Sequence, residues 1–522
     1  MAGYLALPNE LKDLIGLSQT DLSRLSRTSR SMRKALLPQV YKRISLKWEA
    51  FRPLPHIWGI FRTVTESPDL AELVEELEFC GKGYREHISN PERERHPTRK
   101  NIPEFLFEAK QKIHKTTTGA KLAFNRAVES IGLPADQWKS IPGSNEELDL
   151  VIAAMIICCP NLKRLSMGAD FLHENRMLPM VLNSFLIRKN GQARALLTKL
   201  ETVCLAQDIP AYWNRSVGPP MFSLTSCLPF FYLPSIKTLS APLPDRTGFS
   251  RPSSPPTDWP TTIPPTCYIR TLDLQKTRAR PTTLAFAFAQ MPHLRTLKYD
   301  FWCRAGQKLD CAELCNALKI VRHTLTELVI SFEPFTTEAE DIDEMGPWTV
   351  NAQGLGSLKF LSKLAKLEIA PSILLDWRGE DDTPLRNTLP SSLERLCLRD
   401  DCTHYSGMFW DEDAVIEEVR SWLEHKAWKA CTPHMKRFGL RLCHAKIEEW
   451  GAQPRNVLVD LCKEAGLESW FEKTHPDHEW DAAKGQYEEA DNPLNYPLLD
   501  TPMYIRERQC WPQTRRKADD RL

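Results

Sequence analysis

Residues 160–167 read Pro-Asn-Leu-Lys-Arg-Leu-Ser-Met, and their arrangement of apolar and polar side chains returns through most of the chain. Leu162, Leu165 and Met167 define the pattern: an apolar residue, two mostly polar ones, an apolar residue, one spacer and an apolar residue. Nine further copies begin at Val74 (VEELEF), Leu200 (LETVCL), Ile236 (IKTLSA), Ile269 (IRTLDL), Leu294 (LRTLKY), Leu325 (LTELVI), Leu364 (LAKLEI), Leu393 (LERLCL) and Met435 (MKRFGL). After a first gap of 88 residues the steps are 38, 36, 33, 25, 31, 39, 29 and 42. Three apolar positions alone are a weak signal in a chain that is 42% apolar. The narrower form, Pro-x-apolar-(Lys/Arg)-(Arg/Thr)-apolar, is specific, and it occurs as PNLKRL, PSIKTL, PHLRTL and PHMKRF.

Alternation places the last two apolar residues of each copy on one side of a strand, while the leading residue fills the corner before it. Helical spacing falls between copies. In 146–159 the apolar positions 148, 151, 152, 155 and 156 share a face, and Leu314, Leu318 and Val321 share another ahead of LTELVI. A strand followed by a helix, repeated, stacks into a curved solenoid of parallel strands whose repeats bury their faces against neighbours. Repeats of this length also suit an all-helical array, which is the alternative fold.

The repeat resembles the leucine-rich-repeat pattern in an irregular, long form. That family usually places Asn or Cys three residues after the third apolar position. Here the position holds Lys82, Asp170, Asp208, Pro244, Thr277, Trp302, Glu333, Ser372, Asp401 and Cys443. Only Cys443 fits. Six of the others carry a side-chain oxygen able to accept a hydrogen bond, so a less regular horseshoe is expected.

The first 48 residues stand apart. Nine Lys/Arg face three acids there, a local net of +6. Pro8 suits a first helical turn, Leu11, Leu14 and Ile15 share a face, and Gly16 ends that helix. Ser18 to Asp21 opens the next helix as a capping-box-like start. Its apolar stripe is Leu22, Leu25, Met32 and Leu36, its flanking face carries Arg24, Arg27, Arg30 and Arg33, and Pro38 stops it. Val40, Tyr41, Ile44 and Leu46 then begin an extended segment. Helices this short bury no core of their own and need another surface, either a partner or the domain that follows.

The run LPNEL…LSQTDLSRLSRTSRSMRKALLPQVYKRISL is similar to an F-box of the fungal kind. The matching parts are Leu7-Pro8, Asp21-Leu22, Ser29-Arg30-Ser31-Met32-Arg33 in the place of the family's Ser-Arg-x-Phe-Arg, and Pro38-x-x-Tyr41. The stretch from Leu7 to Asp21 is a couple of residues shorter than the family's. The resemblance implies docking of a Skp-family adaptor, and through it a cullin complex. Leu7, Pro8, Leu11, Ile15, Leu22, Leu25 and Met32 would fill the adaptor's groove, and Arg30 and Arg33 would pair with its acids.

The expected fold class is therefore α/β: a helical F-box-like module at 1–48, an irregular leucine-rich-repeat array at 49–444, and a C-terminal capping segment and tail at 445–522. Insertions interrupt the array at 81–145 and 241–266. The first opens with the charged, turn-rich stretch 81–100, and the second holds eight prolines, which exclude a helix.

Length and composition bound the function. At 522 residues the chain is too long for one core and suits several domains or an array. Sixty-eight Lys+Arg against 67 Asp+Glu leave a net charge of +1, so no excess charge steers the whole chain to nucleic acid or an anionic membrane. The longest apolar run, 150–159, is about half a bilayer span, and Met1–Leu7 lacks a signal peptide's basic start. The chain reads as intracellular, cytoplasmic or nuclear, with Arg515-Arg516-Lys517 a weak import-like cluster. Fifteen cysteines include no CxxC pair and read mostly as small buried hydrophobes.

Catalytic and metal motifs are thin. His475-x-x-His478, Cys402-x-His404 and Cys443-His444 lack further ligands at metal spacing, and 338–344 (EAEDIDE) lacks the glycine and terminal Glu of a calcium loop. No nucleophile elbow, Walker loop or dinucleotide fingerprint occurs. The sequence thus implies a non-enzymatic protein without a cofactor. Its expected role is to recruit an unidentified target protein to a cullin-type ubiquitin ligase, the repeats holding the target. The alternative is a repeat scaffold with no ligase link.

Overall fold

The computed structural model describes residues 19–49, 57–82, 117–132, 146–168, 171, 177–187, 197–205, 227–243, 267–304, 309–335, 353–376, 384–401, 410–426, 428–442, 452–473, 480–481 and 486–487. The protein is α/β, and its chain falls into two compact units. The first is made of residues 1–209, 219–279 and 286–295, the second of 210–218, 280–285 and 296–522.

The first unit holds six parallel strands in chain order: β1 (Arg43–Glu49), β2 (Glu76–Lys82), β3 (Arg164–Met167), β4 (Thr202–Leu205), β5 (Thr238–Ser240) and β6 (Thr271–Thr277). The second holds six more: β7 (Thr296–Arg304), β8 (Glu327–Phe335), β9 (Lys366–Ile369), β10 (Arg395–Arg399), β11 (Arg437–Leu442) and β12 (Glu468–Lys473). Each of the ten repeat copies enters a strand at its third residue, which excludes an all-helical array. A separate antiparallel pair joins β13 (Trp480–Asp481) to β14 (Gln486–Tyr487).

Register follows the repeat. The fourth residues of successive copies are neighbours, Leu77, Leu165, Val203, Leu239 and Leu272 in the first unit. Leu297, Leu328, Leu367, Leu396 and Phe438 do the same in the second. Every one of these is buried, as is each leading corner residue from Val74 to Met435. Burying one such side chain is worth about 1.5–3 kcal/mol, so within each unit the ladder forms a core that no single repeat could close.

The turn before each strand is locked by the main chain. The carbonyl of a copy's second residue accepts from two amides of the next copy. Lys163 and Arg164 donate to Glu75 at 2.7 and 3.1 Å, and Glu394 and Arg395 donate to Ala365 at 2.8 and 2.9 Å. Side chains add a parallel ladder. Ser235 Oγ donates to the Leu200 carbonyl at 2.8 Å, Ser392 Oγ to Leu364 at 2.9 Å, and Asn161 Nδ2 to Glu72 at 2.6 Å. In these three copies the residue just before the corner position thus ties one turn to an earlier one.

Three residues after the third apolar position, Thr277 Oγ1 donates to the Leu243 carbonyl at 2.7 Å, and a carboxylate oxygen of Asp401 accepts from the Phe332 amide at 3.4 Å. Among the described residues, buried Ser372 has no hydrogen-bond partner for its hydroxyl. Asp170, Asp208, Pro244 and Cys443 lie outside the described residues.

The N-terminal helix differs from expectation in two ways. The stripe from Leu22 to Leu36 is not one helix but two, α1 (Gln19–Ser26) and α2 (Arg30–Lys42). Ser29 is extended and its side chain accepts from the Met32 amide at 3.1 Å, an N-cap that restarts the helix. Pro38 does not stop α2, which runs on through Lys42. One main-chain hydrogen bond is lost there, but continuing the helix keeps Leu36 fully buried and delivers the chain straight into β1, where Ile44 and Leu46 are buried. Val40 and Tyr41 are accordingly helical.

Strands also extend past the expected array at both ends. β1 belongs partly to the 1–48 segment, and β12, preceded by helix α3 (Ala452–Ala465), lies within the expected cap at 445–522. Residues 83–116 and 244–266 lie outside the described residues, as does nearly everything beyond 473.

Candidate interaction surfaces

In the first unit, α1 packs on α2, and α2 rests on β1 and on the short helix Pro68–Ala71. Two side chains fasten the pair: Met32, 4% exposed, and Leu36, fully buried. Leu22 and Leu25 on α1 are half-buried, while Arg27, Arg30 and Arg33 are exposed. Arg24 lies 3.8 Å from Asp21. The hairpin thus has one face sealed on its own chain and another, mixed apolar and basic, partly open. Leu7, Pro8, Leu11 and Ile15 lie outside the described residues, so of the nine sequence candidates only Leu22, Leu25, Arg30, Met32 and Arg33 are placed. Of these five, Met32 alone is buried.

On every strand the residues between the core positions point to the opposite side of the sheet. In the first unit one row there is Ser45, Glu78, Ser166, Cys204, Ser240 and Asp273. Burial opposes the charge of Glu78, but the hydrogen bond from Arg43 at 2.8 Å prevails and holds its carboxyl below the usual range.

The second unit carries the most charged stretch of this side. Its middle row is Lys298, Val329, Glu368, Cys397, Gly439 and Trp470. Arg399, fully buried, hydrogen-bonds to Glu368 and, at 2.9 Å, to Asp401. Arg441 lies 3.2 Å from Glu368 and 2.5 Å from Glu472. Burial alone would raise the pKa of Glu368, but the charges of Arg399 and Arg441 lower it. Trp470 lies across Gly439, where a Cβ would come within 2.3 Å of the indole. The Arg395 guanidinium stands 4.3 Å from the Trp470 ring and that of Arg437 5.0 Å. Sequence reading missed this constellation because its members are the spacers of the repeat. Their shared face becomes visible only when copies are aligned in register.

Nothing described resembles a reaction centre. Among the described residues no three His, Cys, Asp or Glu are grouped to hold a metal, and the thin metal motifs at 402–404, 443–444 and 475–478 lie outside them, as does 338–344. Burial pushes the thiols of Cys204, Cys227 and Cys311 up to about 12, which disfavours the nucleophilic thiolate. Among the described residues no helix is long and apolar enough to cross a membrane. Compared with models of protein families and with curated proteins, the chain matches none.

Proposed function

We propose that the chain recruits a target protein to a cullin-type ubiquitin ligase, docking a Skp-family adaptor through its N-terminal helices and holding the target on the polar strand faces of its leucine-rich-repeat-like units. One observation carries this reading. The α1–α2 hairpin is anchored by Met32 and Leu36, yet leaves Leu22 and Leu25 only part-buried beside exposed Arg30 and Arg33. An apolar pair ringed by cations suits a partner with a greasy groove and an acidic rim. No bond is made or broken by such a subunit; it supplies proximity and orientation, acting in the cytoplasm or nucleus without a cofactor.

The test is capture of purified adaptor by the full chain. Leu22→Glu with Leu25→Glu abolishes capture while leaving the thermal melt in place, because neither side chain belongs to the buried core. Capture at the wild-type level refutes the adaptor role. A second reading, a repeat scaffold with no ligase link, draws support from the direct passage of α2 into β1 and from the burial of Met32 and Leu36, which make the hairpin a cap on its own unit.

A further inference from the structure

We infer that strands β9–β12 of the second unit form a docking row for a carboxylate-rich segment of a partner protein, with Lys366, Arg395 and Arg437 as its cations and Trp470 as its apolar anchor. The inference rests on the reading that the strand faces hold a target, and it names that target's chemistry.

The register supplies the main observation. Lys366, Arg395 and Arg437 are direct neighbours on β9, β10 and β11. Adjacent strands lie about 4.8 Å apart, and like charges directly opposite one another destabilise a sheet. The row is only partly neutralised from within. Glu327 approaches Lys366 at 3.7 Å, and Glu472 approaches Arg395 at 3.4 Å. Among the described residues, Glu468 makes the one close contact, 2.8 Å to Arg437. The three cationic side chains are 56%, 29% and 40% exposed in chain order. They are accessible, and two of the three have geometry to spare for a better anion.

Trp470 adds the second observation. A guanidinium stacked on an aromatic face keeps its in-plane N–H donors free for a carboxylate. Arg395 and Arg437 both stand over the Trp470 ring, so the indole holds two donor forks while Gly439 leaves it room to lie flat. The turn entering β9 extends the positive edge: residues 355–366 carry Lys359, Lys363 and Lys366 and no acid, and Lys359 and Lys363 are exposed.

The same face argues against nucleic acid. Glu327 and Glu468 sit at the two ends of the cationic row and Glu472 stands against its middle member Arg395, and together they would repel a continuous phosphate backbone. A short acidic peptide spans the three cations between Glu327 and Glu468 and takes the place of Glu472 at Arg395.

The test uses the full chain and a fluorescent oligo-glutamate peptide, read by anisotropy at rising salt, with an oligo-lysine peptide and a single-stranded oligonucleotide alongside. Glutamate peptide is expected to bind, and to weaken as salt rises. Arg395→Gln with Arg437→Gln weakens it about tenfold, and Lys366→Glu, at the most exposed position, weakens it without shifting the melt. Absence of binding overturns the proposal, and so does binding that these variants leave unchanged. Tighter binding of the oligonucleotide, lost in the same variants, overturns it in favour of a nucleic-acid surface. Failure here is distinct from failure of the ligase reading: adaptor capture depends on Leu22 and Leu25, and the row variants leave it intact.

Discussion

Gly439 and Trp470 face each other across β11 and β12, and the indole occupies the space that any side chain at 439 would need. Gly439→Ala therefore forces the ring, and with it the stacked Arg395 and Arg437, out of place, at a cost of about 1–3 kcal/mol. The coupling is directional. In Trp470→Ala the same Gly439→Ala change costs little, so a double-mutant cycle by urea unfolding returns a coupling of about 1 kcal/mol or more; additive effects would show that the ring does not press on this glycine. Glu368 makes a second prediction. Its carboxyl is held below the ordinary value by Arg399 and Arg441 against the opposing effect of burial. A depressed carboxylate contributes stability that is complete above its unfolded pKa and is lost as pH falls through the folded one. Glu368→Gln should lower stability at neutral pH and flatten the loss below about pH 4.5. Arg399→Met, which strands Glu368 and Asp401 in the interior, costs about 3–5 kcal/mol.

The elements show how much of the fold the sequence carried. Ten strands were legible because the corner and fourth positions of each copy are large and apolar, and all are buried. β1 is expected as an extended segment but not as a copy of the repeat, although Tyr41-Lys-Arg-Ile44-Ser-Leu46 obeys the rule and pairs Ile44 to Leu77. β12 escaped altogether. Its register places Gly466 at the corner and Ser469 at the fourth position, so two of the three apolar marks are missing and pairing with β11 alone makes it a strand. Pro38 misled because a helix-breaking residue was weighed without the burial of Leu36 that holds its helix together. That conflict is measurable. Pro38→Ala restores an amide donor inside α2, offset in part by the freer unfolded chain, and should raise stability by about 1–2 kcal/mol in a thermal melt. An unchanged or lowered midpoint would mean that the helix gains nothing from that bond.

Across the whole molecule the polar side of the strands is hidden in places where an open array would be wet. Glu78, Ser166, Ser240 and Ser331 are each below 9% exposed, and Arg399 is fully enclosed. No reading of the repeat could have given this, since the spacers vary freely and burial depends on what lies over them. The cysteines follow the same logic. Of the eleven whose side chains are described, eight are buried, and burial pushes Cys158 and Cys267 up to about 11 and Cys462 to about 12. A thiol that is both shielded and protonated reacts only when its surroundings open. The native chain at neutral pH should therefore label slowly at Cys204, Cys227 and Cys311, with rates that climb steeply in denaturant, and reductant should leave the melting temperature unchanged. Mass spectrometry after timed alkylation reads each site separately. Labelling of Cys204 in the native protein as fast as in urea would mean that the covered polar side of the strands is open, and the burial of the row from Glu78 to Ser240 would have to be redrawn.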